Sequence, residues 1–305
     1  MAQFRINILG CGSASPSMRH MPSCQVVDFR DNLFMIDCGE GAQLQLRRFK
    51  LKFQRLSHIF ISHLHGDHVL GLPGLLSTLD LNEKHGSVTI HTFPEGIKIL
   101  RQITDFFCEY ASFDIVYEPV SHDGGLVFEN DALTVKAFPL EHSKPCVGYL
   151  FEEKPKQRHL IGDMVNFYNV PISQRAALRT GADFVTESGE IIPNSRLTTD
   201  PDPSVSYAYC SDTRYMPTLA RRLRGVDTIY HEATYDDSKA AKARQRGHST
   251  AGEAAQVARD AGAKRLILGH FSKSYPNEEI HRQQASAIFK GELLVADEGM
   301  KIDLL

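Results

Sequence analysis

Short apolar stretches of strand length alternate with helix-spaced stretches along most of the 305-residue chain. Runs of β-branched and aromatic residues favour strands, whereas apolar residues three or four positions apart favour helices that pack on a sheet. The pattern predicts strands at 4–10, 33–37, 58–62, 87–92, 114–119, 132–138, 147–151, 205–210, 226–230 and 264–268, and two short ones at the carboxyl end. It predicts helices at 43–55, 70–79, 95–108, 214–224, within 236–246, and at 250–262 and 277–289. Such alternation predicts an α/β fold whose sheets are covered by helices.

The alternation is interrupted between residues 153 and 203. This stretch begins with Lys154-Pro155-Lys156 and ends with Asp200-Pro201-Asp202-Pro203. Proline and glycine at this density favour turns over long regular elements. We therefore expect one domain over residues 1–305 that carries an inserted arm at 153–195.

Composition and charge exclude several classes of protein. The chain has 34 Lys and Arg against 37 Asp and Glu, a net charge of −3, so it is not a globally basic nucleic-acid-binding protein, although local basic patches remain allowed. The longest apolar runs are too short to span a bilayer, and we expect no membrane association. The first residues lack the apolar core of a signal peptide, and the six cysteines are scattered singly. We therefore expect a cytoplasmic protein with buried thiols.

One cluster of histidines directly follows the predicted buried strand at 58–62. His63, His65, Asp67 and His68 lie within six consecutive positions. Residues two apart on an extended segment point to the same side, so His63 and His65 can bind one metal ion, and Asp67 and His68 can face a second. Imidazole and carboxylate ligands without a thiolate suit zinc or manganese at a catalytic site.

Three other predicted strands each end near a further potential ligand. His142 follows the strand at 132–138, Asp212 follows 205–210, and His270 follows 264–268. Two metal sites that share one bridging carboxylate need about this number of ligands. The sequence therefore predicts a dinuclear hydrolytic centre.

The motifs resemble those of the metallo-β-lactamase superfamily and, more narrowly, of the ribonuclease Z family of tRNA 3′-processing endoribonucleases. The matching segments are Leu9-Gly10-Cys11-Gly12-Ser13, Asp37-Cys38-Gly39-Glu40-Gly41, His63 to His68, Ser211-Asp212-Thr213, His231-Glu232-Ala233-Thr234 and His248-Ser249-Thr250. This resemblance implies an αβ/βα four-layer sandwich. It also implies removal of the 3′ trailer from precursor tRNA by metal-activated water, which leaves a 3′-hydroxyl on the tRNA.

The resemblance also implies roles for individual residues and partners. His63, His65 and His142 would hold one zinc ion, and Asp67, His68 and His270 would hold the other. Asp212 would bridge the two Zn²⁺ ions of each chain, for which Mn²⁺ is the alternative. Asp67 would also accept the proton of the attacking water. The implied assembly is a homodimer in which the arm of one subunit grips the tRNA that the other cleaves.

A carboxylate–imidazole pair is the implied proton donor to the leaving 3′ oxygen. Its members are Glu232 and His248. His248 directly precedes Ser249 and the Thr250-Ala251-Gly252-Glu253 segment, which has the pattern of a helix-capping box and places His248 at a helix amino terminus.

Basic residues supply candidate contacts to the RNA backbone. We expect Arg47, Arg48, Lys50 and Arg175 to contact substrate, and a second basic run lies at 239–246. The arm tip, Val170 to Arg175, lacks the Gly-Pro-rich stretch of the family, and the loop Ser17-Met18-Arg19-His20 also departs from it.

Two alternative functions follow from the same residues. One is a small-molecule phosphodiesterase or arylsulfatase-like hydrolase of the same fold, against which the arm and the basic runs argue. The other is a non-catalytic tRNA-binding relative, for which the loss of metal ligands would be expected. All seven candidate ligands are present.

Overall fold

A computed structural model describes residues 4–14, 17–109 and 111–304. The first three residues, on which the expectation about a signal peptide partly depends, lie outside this set. The chain divides into two compact units. The first lies within 1–129, 134–151 and 205–305, and the second comprises 130–133 and 152–204. The arm predicted at 153–195 falls inside the second unit.

Two seven-stranded sheets build the first unit, with strands numbered along the whole chain. The first sheet contains β1 (Phe4–Gly10), β2 (Cys24–Phe29), β3 (Asn32–Ile36), β4 (Leu56–Phe60), β5 (Ser87–Thr92), β6 (Asp114–Pro119) and β18 (Lys301–Asp303). The second contains β7 (Gly125–Glu129), β8 (Leu133–Leu140), β9 (Cys146–Glu153), β14 (Ser206–Cys210), β15 (Thr228–Glu232), β16 (Arg265–Gly269) and β17 (Glu292–Val295). Their spatial orders are 18-1-2-3-4-5-6 and 17-16-15-14-9-8-7.

The strands that matter most for the site run parallel. In the first sheet β3 to β6 are parallel neighbours, and in the second β14 to β17 are. Because the carboxyl ends of parallel neighbours meet at one edge of a sheet, side chains that follow these strands are brought close together.

Helices cover the outer faces of both sheets. The first unit contains α1 (Ala42–Arg48), α2 (Gly66–Val69), α3 (Leu72–Leu81), α4 (Pro94–Phe107), α8 (Pro217–Arg222), α9 (Ala240–Arg246), α10 (Ala251–Ala261) and α11 (Glu279–Ile288), with 3₁₀ turns at Phe53–Arg55 and Asp237–Lys239. Leu46, Leu75 and Leu79 pack on the first sheet, and Leu219 and Val257 pack on the second. Aromatic side chains fill the space between the sheets, where Phe60 lies 5.3 Å from Tyr149 and 5.5 Å from Phe151, centroid to centroid. The predicted four-layer αβ/βα sandwich is confirmed.

The predicted helix at 43–55 is shorter than its pattern suggests. It ends at Arg48, where Lys50 adopts a left-handed φ of 59°. The Leu51 N–H donates to the Leu46 carbonyl at 2.9 Å, and the Lys50 N–H to the Arg47 carbonyl at 3.1 Å, so the chain reverses there.

Strand β2 is absent from the predictions because polar residues break its pattern. Gln25 and Asp28 are both buried in it. The Tyr207 hydroxyl donates to Gln25, and Arg55 pairs with Asp28, so both buried side chains have partners in distant segments.

The second unit has its own elements and its own apolar cluster. Its elements are α5 (Gly162–Phe167), α6 (Ile172–Arg179), α7 (Asn194–Leu197), β10 (His159–Leu160), β11 (Phe184–Val185), β12 (Ile191–Ile192) and β13 (Thr198–Thr199). The strands form two two-stranded antiparallel sheets, β10 with β13 and β11 with β12. Buried side chains form its core, namely Val165, Val170, Leu178, Phe184, Ile192 and Leu197.

The expectation of buried thiols is confirmed, because all six cysteines are free and buried. Among the described residues, every helix is too short or too polar to cross a bilayer.

Candidate metal centre

The seven predicted ligands converge at the carboxyl ends of strands from both sheets. His63 and His65 follow β4, and Asp67 and His68 lie in the short helix α2 just beyond. His142, Asp212 and His270 follow β8, β14 and β16 within two residues of the strand ends. The structure thus brings together side chains that are up to 207 positions apart, from His63 to His270.

Three of the histidines form one group. Nε2 of His63 lies 2.9 Å from Nδ1 of His65, which lies 3.1 Å from Nε2 of His142. The Nδ1 of His142 donates to the Gly247 carbonyl at 2.7 Å, so its Nε2 is the nitrogen with a free lone pair.

A second group contains the other two histidines and Asp67. Nε2 of His68 lies 3.5 Å from Oδ2 of Asp67 and 3.4 Å from Nε2 of His270. Asp67 Oδ2 also accepts the Ala14 N–H at 2.7 Å. This contact fixes the carboxylate from the side of the amino-terminal loop.

Asp212 lies between the two groups and turns one oxygen toward each. Its Oδ2 is 3.7 Å from Nε2 of both His63 and His142. Its Oδ1 is 3.1 Å from Nε2 of His270 and 3.5 Å from Nε2 of His68. Oδ1 is buried without a hydrogen bond among the described residues.

The donor set fits two divalent cations. Unprotonated imidazole nitrogens and carboxylate oxygens that face each other at 2.9–3.7 Å repel one another unless a cation or proton lies between them. Ligands around one tetrahedral zinc ion are roughly 3.4 Å apart when each bond is about 2.1 Å, which matches this spacing. A buried carboxylate oxygen without a donor is also costly unless a charge compensates it.

The pKa values of the first group favour neutral, ligating imidazoles. Burial, with the neighbouring His68, holds the pKa of His63 well below its ordinary value. Burial also lowers the pKa of His65 and of His142. Neutral imidazole is the form that binds metal ions.

A buried hydrogen-bond network around Asp37 orients the candidate ligands. Asp37 Oδ2 accepts hydrogen bonds from Nδ1 of His68 at 2.7 Å and from the Tyr209 hydroxyl at 2.8 Å. Its Oδ1 accepts the Ser62 N–H at 2.7 Å. Such partners fix the tautomer and orientation of a ligand. Asp37 and His270 both have left-handed φ values, 57° and 59°, a strain that is typical of functional sites.

Asp37 was identified from the sequence only as part of a motif, and its contact with His68 was not predicted. Its partners come from segments that are 25 to 172 positions away, so no local pattern around Asp37 predicts the network.

The predicted pair of Glu232 and His248 is in contact. Nδ1 of His248 lies 3.0 Å from Oε1 of Glu232 and 3.9 Å from Oδ2 of Asp212. Although burial opposes protonation, the charge of Glu232 and its hydrogen bond raise the pKa of His248 to about 9. Glu232 is fully buried and also accepts the N–H groups of Thr213, Thr234 and Ser249. The arrangement can hold a protonated imidazole in a fixed orientation.

A pocket of about 780 Å³ opens over these residues. Five of the candidate ligands and His248 line it in part, namely His65, Asp67, His142, Asp212, His248 and His270, and the rest of its lining is Ala14, Glu40, Gly66, Leu70, Ser143, Tyr235, Lys242, Gln245 and Arg246. The volume lies in the range of small-molecule and cofactor sites. Lys242 and Arg246 are cations of the basic run at 239–246, whereas no sequence pattern predicted that Tyr235 and Gln245 line a pocket.

The four predicted substrate contacts lie elsewhere. Arg47, Arg48 and Lys50 are exposed on and just after α1 and do not line the pocket, and Arg47 donates to the Asn82 side chain at 3.1 Å. Arg175 lies in α6 of the second unit, where it donates to the Val170 carbonyl at 3.4 Å. Their contact with RNA stays a prediction.

Two family models match parts of the chain. Residues 4–163 match the model described as Anti-Pycsar protein Apyc1 and belong to that group of sequences. Residues 193–271 match the model described as the beta-lactamase superfamily domain.

Curated relatives match the whole chain. A protein of Parabacteroides distasonis named Ribonuclease Z is 48% identical over 307 residues, and one of Bacteroides fragilis with the same name is 46% identical over 306 residues. Both alignments cover 100% of each chain. Among solved structures, the short form of human tRNase Z is similar, with 25% identity, a TM-score of 0.70 and 99% of both chains covered.

Proposed function

The chain belongs to the ribonuclease Z family, and we propose that it is the endoribonuclease that removes the 3′ trailer from precursor tRNA with the aid of two zinc ions. Cleavage leaves a 3′-hydroxyl on the tRNA. The observation that carries this proposal is the position of Asp212, which turns one carboxylate oxygen toward each of two ligand groups beside the His248–Glu232 pair.

The proposed metal ligands divide as the geometry groups them. His63, His65 and His142 would hold one ion, Asp67, His68 and His270 the other, and Asp212 would bridge them. Nitrogen and oxygen donors favour zinc, with manganese as the alternative. When bound, a pair of such ions activates water and neutralises charge on the phosphate.

Asp67 is the proposed acceptor of the proton from the attacking water. It lines the pocket, and the Ala14 N–H holds its Oδ2 in place. Although burial opposes ionisation, the contacts of its carboxylate with His270 and His68 hold the pKa of Asp67 well below its usual range. The carboxylate is therefore ionised before the reaction.

His248 is the proposed proton donor to the leaving 3′ oxygen of the tRNA. Its Nδ1 is engaged by Glu232. Its Nε2 makes no hydrogen bond among the described residues and is the nitrogen free to face substrate. A ribose 3′ oxygen is a poor leaving group, so a positioned acid accelerates its departure. Glu232 acts as a positioning residue for this acid.

We further propose a cytoplasmic homodimer in which the arm of one subunit grips the tRNA that its partner cleaves. This part rests on membership of the family. Sedimentation equilibrium should give about twice the chain mass of 34.1 kDa, and a monomer would contradict the assembly without affecting the reaction.

A cleavage assay tests the reaction. Purified protein supplied with zinc or manganese should cut a 3′-extended precursor tRNA once and yield a tRNA that ends in a 3′-hydroxyl. Parallel samples should contain bis(4-nitrophenyl) phosphate and a cyclic nucleotide. Hydrolysis of the cyclic nucleotide with intact precursor tRNA would favour the small-molecule alternative, and tight tRNA binding without cleavage would favour the non-catalytic one.

Elemental analysis tests the metal assignment. The wild-type protein should contain about two ions per chain. Asp212→Ala should lose both ions because both groups share this carboxylate, whereas His63→Ala should retain the ion of the second group. One ion per chain in active wild-type protein would refute the dinuclear centre.

A further inference from the structure

The basic run at 239–246, which contains α9 and the residue before it, has two differently placed sets of cations. Lys242 and Arg246 are four positions apart, so they lie on the same face of the helix, and both line the metal pocket. Lys239 and Arg244 do not line it. Lys239 lies 3.7 Å from Asp236, and Arg244 lines a separate concavity with Asp237 and Glu253.

The pocket-facing cations have no acidic partner. Among the described residues, neither Lys242 nor Arg246 forms an ion pair or a hydrogen bond, and both are exposed. The contact of Lys242 is with an aromatic ring, since its Nζ lies 5.3 Å from the ring centroid of Tyr235. Cations in a polar pocket without a carboxylate partner attract an anionic ligand.

The end of α9 is fixed to the metal-ligand cluster. The Gly247 carbonyl accepts the Nδ1–H of His142 at 2.7 Å, and Gly247 has a left-handed φ of 77°. A Cβ at Gly247 would lie 2.8 Å from Nδ1 of His142, so this close approach requires glycine. The cations are therefore carried by a helix whose position is set by the catalytic centre.

Tyr235 lies beside the proposed acid with its backbone hydrogen-bonded, and it is 9% exposed, at the wall of the pocket. Its N–H donates to the Ser249 carbonyl at 3.4 Å, and its carbonyl accepts the Ala251 N–H at 3.0 Å. Its ring centroid lies 6.1 Å from that of His248. A fixed aromatic ring beside a cation is a suitable surface for a base or a ribose.

The position of His248 assigns this surface to one side of the cleaved bond. An acid that protonates the leaving 3′ oxygen lies next to the nucleotide that carries this oxygen, which is the 3′-terminal nucleotide of the tRNA product. We propose that Tyr235, Lys242 and Arg246 bind this nucleotide: the tyrosine ring packs against its base or ribose, and the two cations contact the phosphate on its 5′ side. The inference rests on the proposed function and adds a substrate-binding site to it.

Two product-like probes separate the sides of the cleaved bond. One is the tRNA product of cleavage, which ends in a 3′-hydroxyl at this nucleotide, and the other is a short trailer RNA with a 5′ phosphate. Neither contains the bond to be cleaved, so equilibrium binding to the metal-loaded protein can be measured by fluorescence anisotropy. The variants are Lys242→Ala, Arg246→Ala and Tyr235→Leu, with Lys239→Ala and Arg244→Ala as matched controls from the same basic run.

We expect Lys242→Ala and Arg246→Ala each to weaken tRNA binding by roughly tenfold and to lower the salt dependence, as the slope of log K against log salt, by about one unit. Tyr235→Leu should weaken tRNA binding without changing that slope, because it removes a stacking surface and no charge. Trailer binding should be unchanged in all three, and Lys239→Ala and Arg244→Ala should bind both probes like wild type.

Three outcomes would overturn the inference. These are equal losses for tRNA and trailer, a loss confined to the trailer, or control variants as impaired as Lys242→Ala. If Tyr235→Leu does not fold, the two single-cation variants still decide the question. Failure of the wild-type protein to cleave precursor tRNA would instead refute the proposed function, whatever the binding data show.

Discussion

At the scale of single residues, His248 differs from the five histidines among the candidate ligands, because each of those lies within hydrogen-bonding distance of another histidine. Its Nδ1 lies 3.0 Å from the buried carboxylate of Glu232 and is not shared with another histidine. His248→Ala should therefore keep both metal ions but slow precursor tRNA cleavage by roughly 10²- to 10⁴-fold, the usual loss for a positioned acid. Single-turnover cleavage and elemental analysis of the same preparation measure the two effects.

The same variant should lose much less activity on bis(4-nitrophenyl) phosphate, because nitrophenolate leaves without a proton. Glu232→Gln, which keeps the shape of the side chain but removes its charge, should show a smaller loss in the same direction. Equal losses on both substrates, or a lower metal content, would identify His248 as a structural residue or a ligand.

His20 forms a second charged cluster outside the metal centre. Its Nδ1 lies 2.9 Å from Glu298 and its Nε2 lies 3.2 Å from Glu278. Burial opposes the charged form, but the two carboxylates raise the pKa of His20 from 6.5 to about 9. A folded-state pKa above the unfolded one stabilises the protein fully below pH 6.5, and this stabilisation is lost as the pH rises through 9.

The stability of His20→Gln tests this pH dependence. Wild type should exceed the variant by up to about 3 kcal/mol in free energy of unfolding at pH 6, since each pKa unit corresponds to about 1.4 kcal/mol. The difference should shrink toward pH 9.5 in urea titrations. His85→Gln, a substitution of an exposed histidine, serves as control and should match wild type at both pH values. A difference that does not change with pH would refute the charged cluster.

These residues also show which roles of single residues could be predicted from the sequence. The seven candidate ligands could be singled out because their chemical types are unusual and because each follows an apolar strand. His20 could be assigned only a surface or packing role, since its acidic partners are 258 and 278 positions away. Lys242 could not be separated from Lys239 because that distinction depends on which of the two lysines lines the pocket in the folded chain.

At the scale of elements, the capping box before α10 links helix stability to the proposed acid. The Thr250 hydroxyl accepts the Glu253 N–H at 3.3 Å, and Glu253 accepts the Thr250 N–H at 2.9 Å, as the sequence pattern predicts. Thr250→Ala should lower the free energy of unfolding by about 1 kcal/mol. It should also lower the cleavage rate, because Ser249 and His248 immediately precede the cap and contact Glu232.

Thermal unfolding and cleavage rates of Thr250→Ala and Thr250→Ser measure these effects. Serine keeps the capping hydroxyl and should remain close to wild type in both. If serine were as harmful as alanine, the methyl group of Thr250 rather than the cap would be the important feature.

Element ends are predicted well where local chemistry decides them and poorly where distant partners do. Thr250 and Glu253 are neighbours, so the start of α10 is visible in the sequence. Strand β2 is not, because the buried Gln25 and Asp28 depend on Tyr207 and Arg55 from other segments. The same reason explains why the hydrogen-bond network around Asp37 was not predicted.

At the scale of the whole molecule, the regular alternation of strand and helix patterns is interrupted after residue 153, within the second compact unit. The unit has its own buried cluster, including Val165, Leu178 and Phe184, so its core does not need residues of the first unit. The elements of this unit were not predicted from the sequence, because its helices have at most eight residues and its strands two. Such short elements leave too few positions for a periodic pattern.

The closeness of the two ends of this unit allows a clean deletion. The Ser204 hydroxyl donates to the Lys154 carbonyl at 3.0 Å, so a short glycine linker can replace residues 155–203. All seven proposed ligands lie in the first unit, and the variant should therefore bind about two metal ions per chain and hydrolyse bis(4-nitrophenyl) phosphate. Cleavage of precursor tRNA should fall by at least about tenfold, because the backbone contacts that supply affinity are lost. A milder variant, Arg175→Ala, should reduce tRNA affinity alone, and equal loss of both activities on deletion would show that the first unit requires the arm to fold.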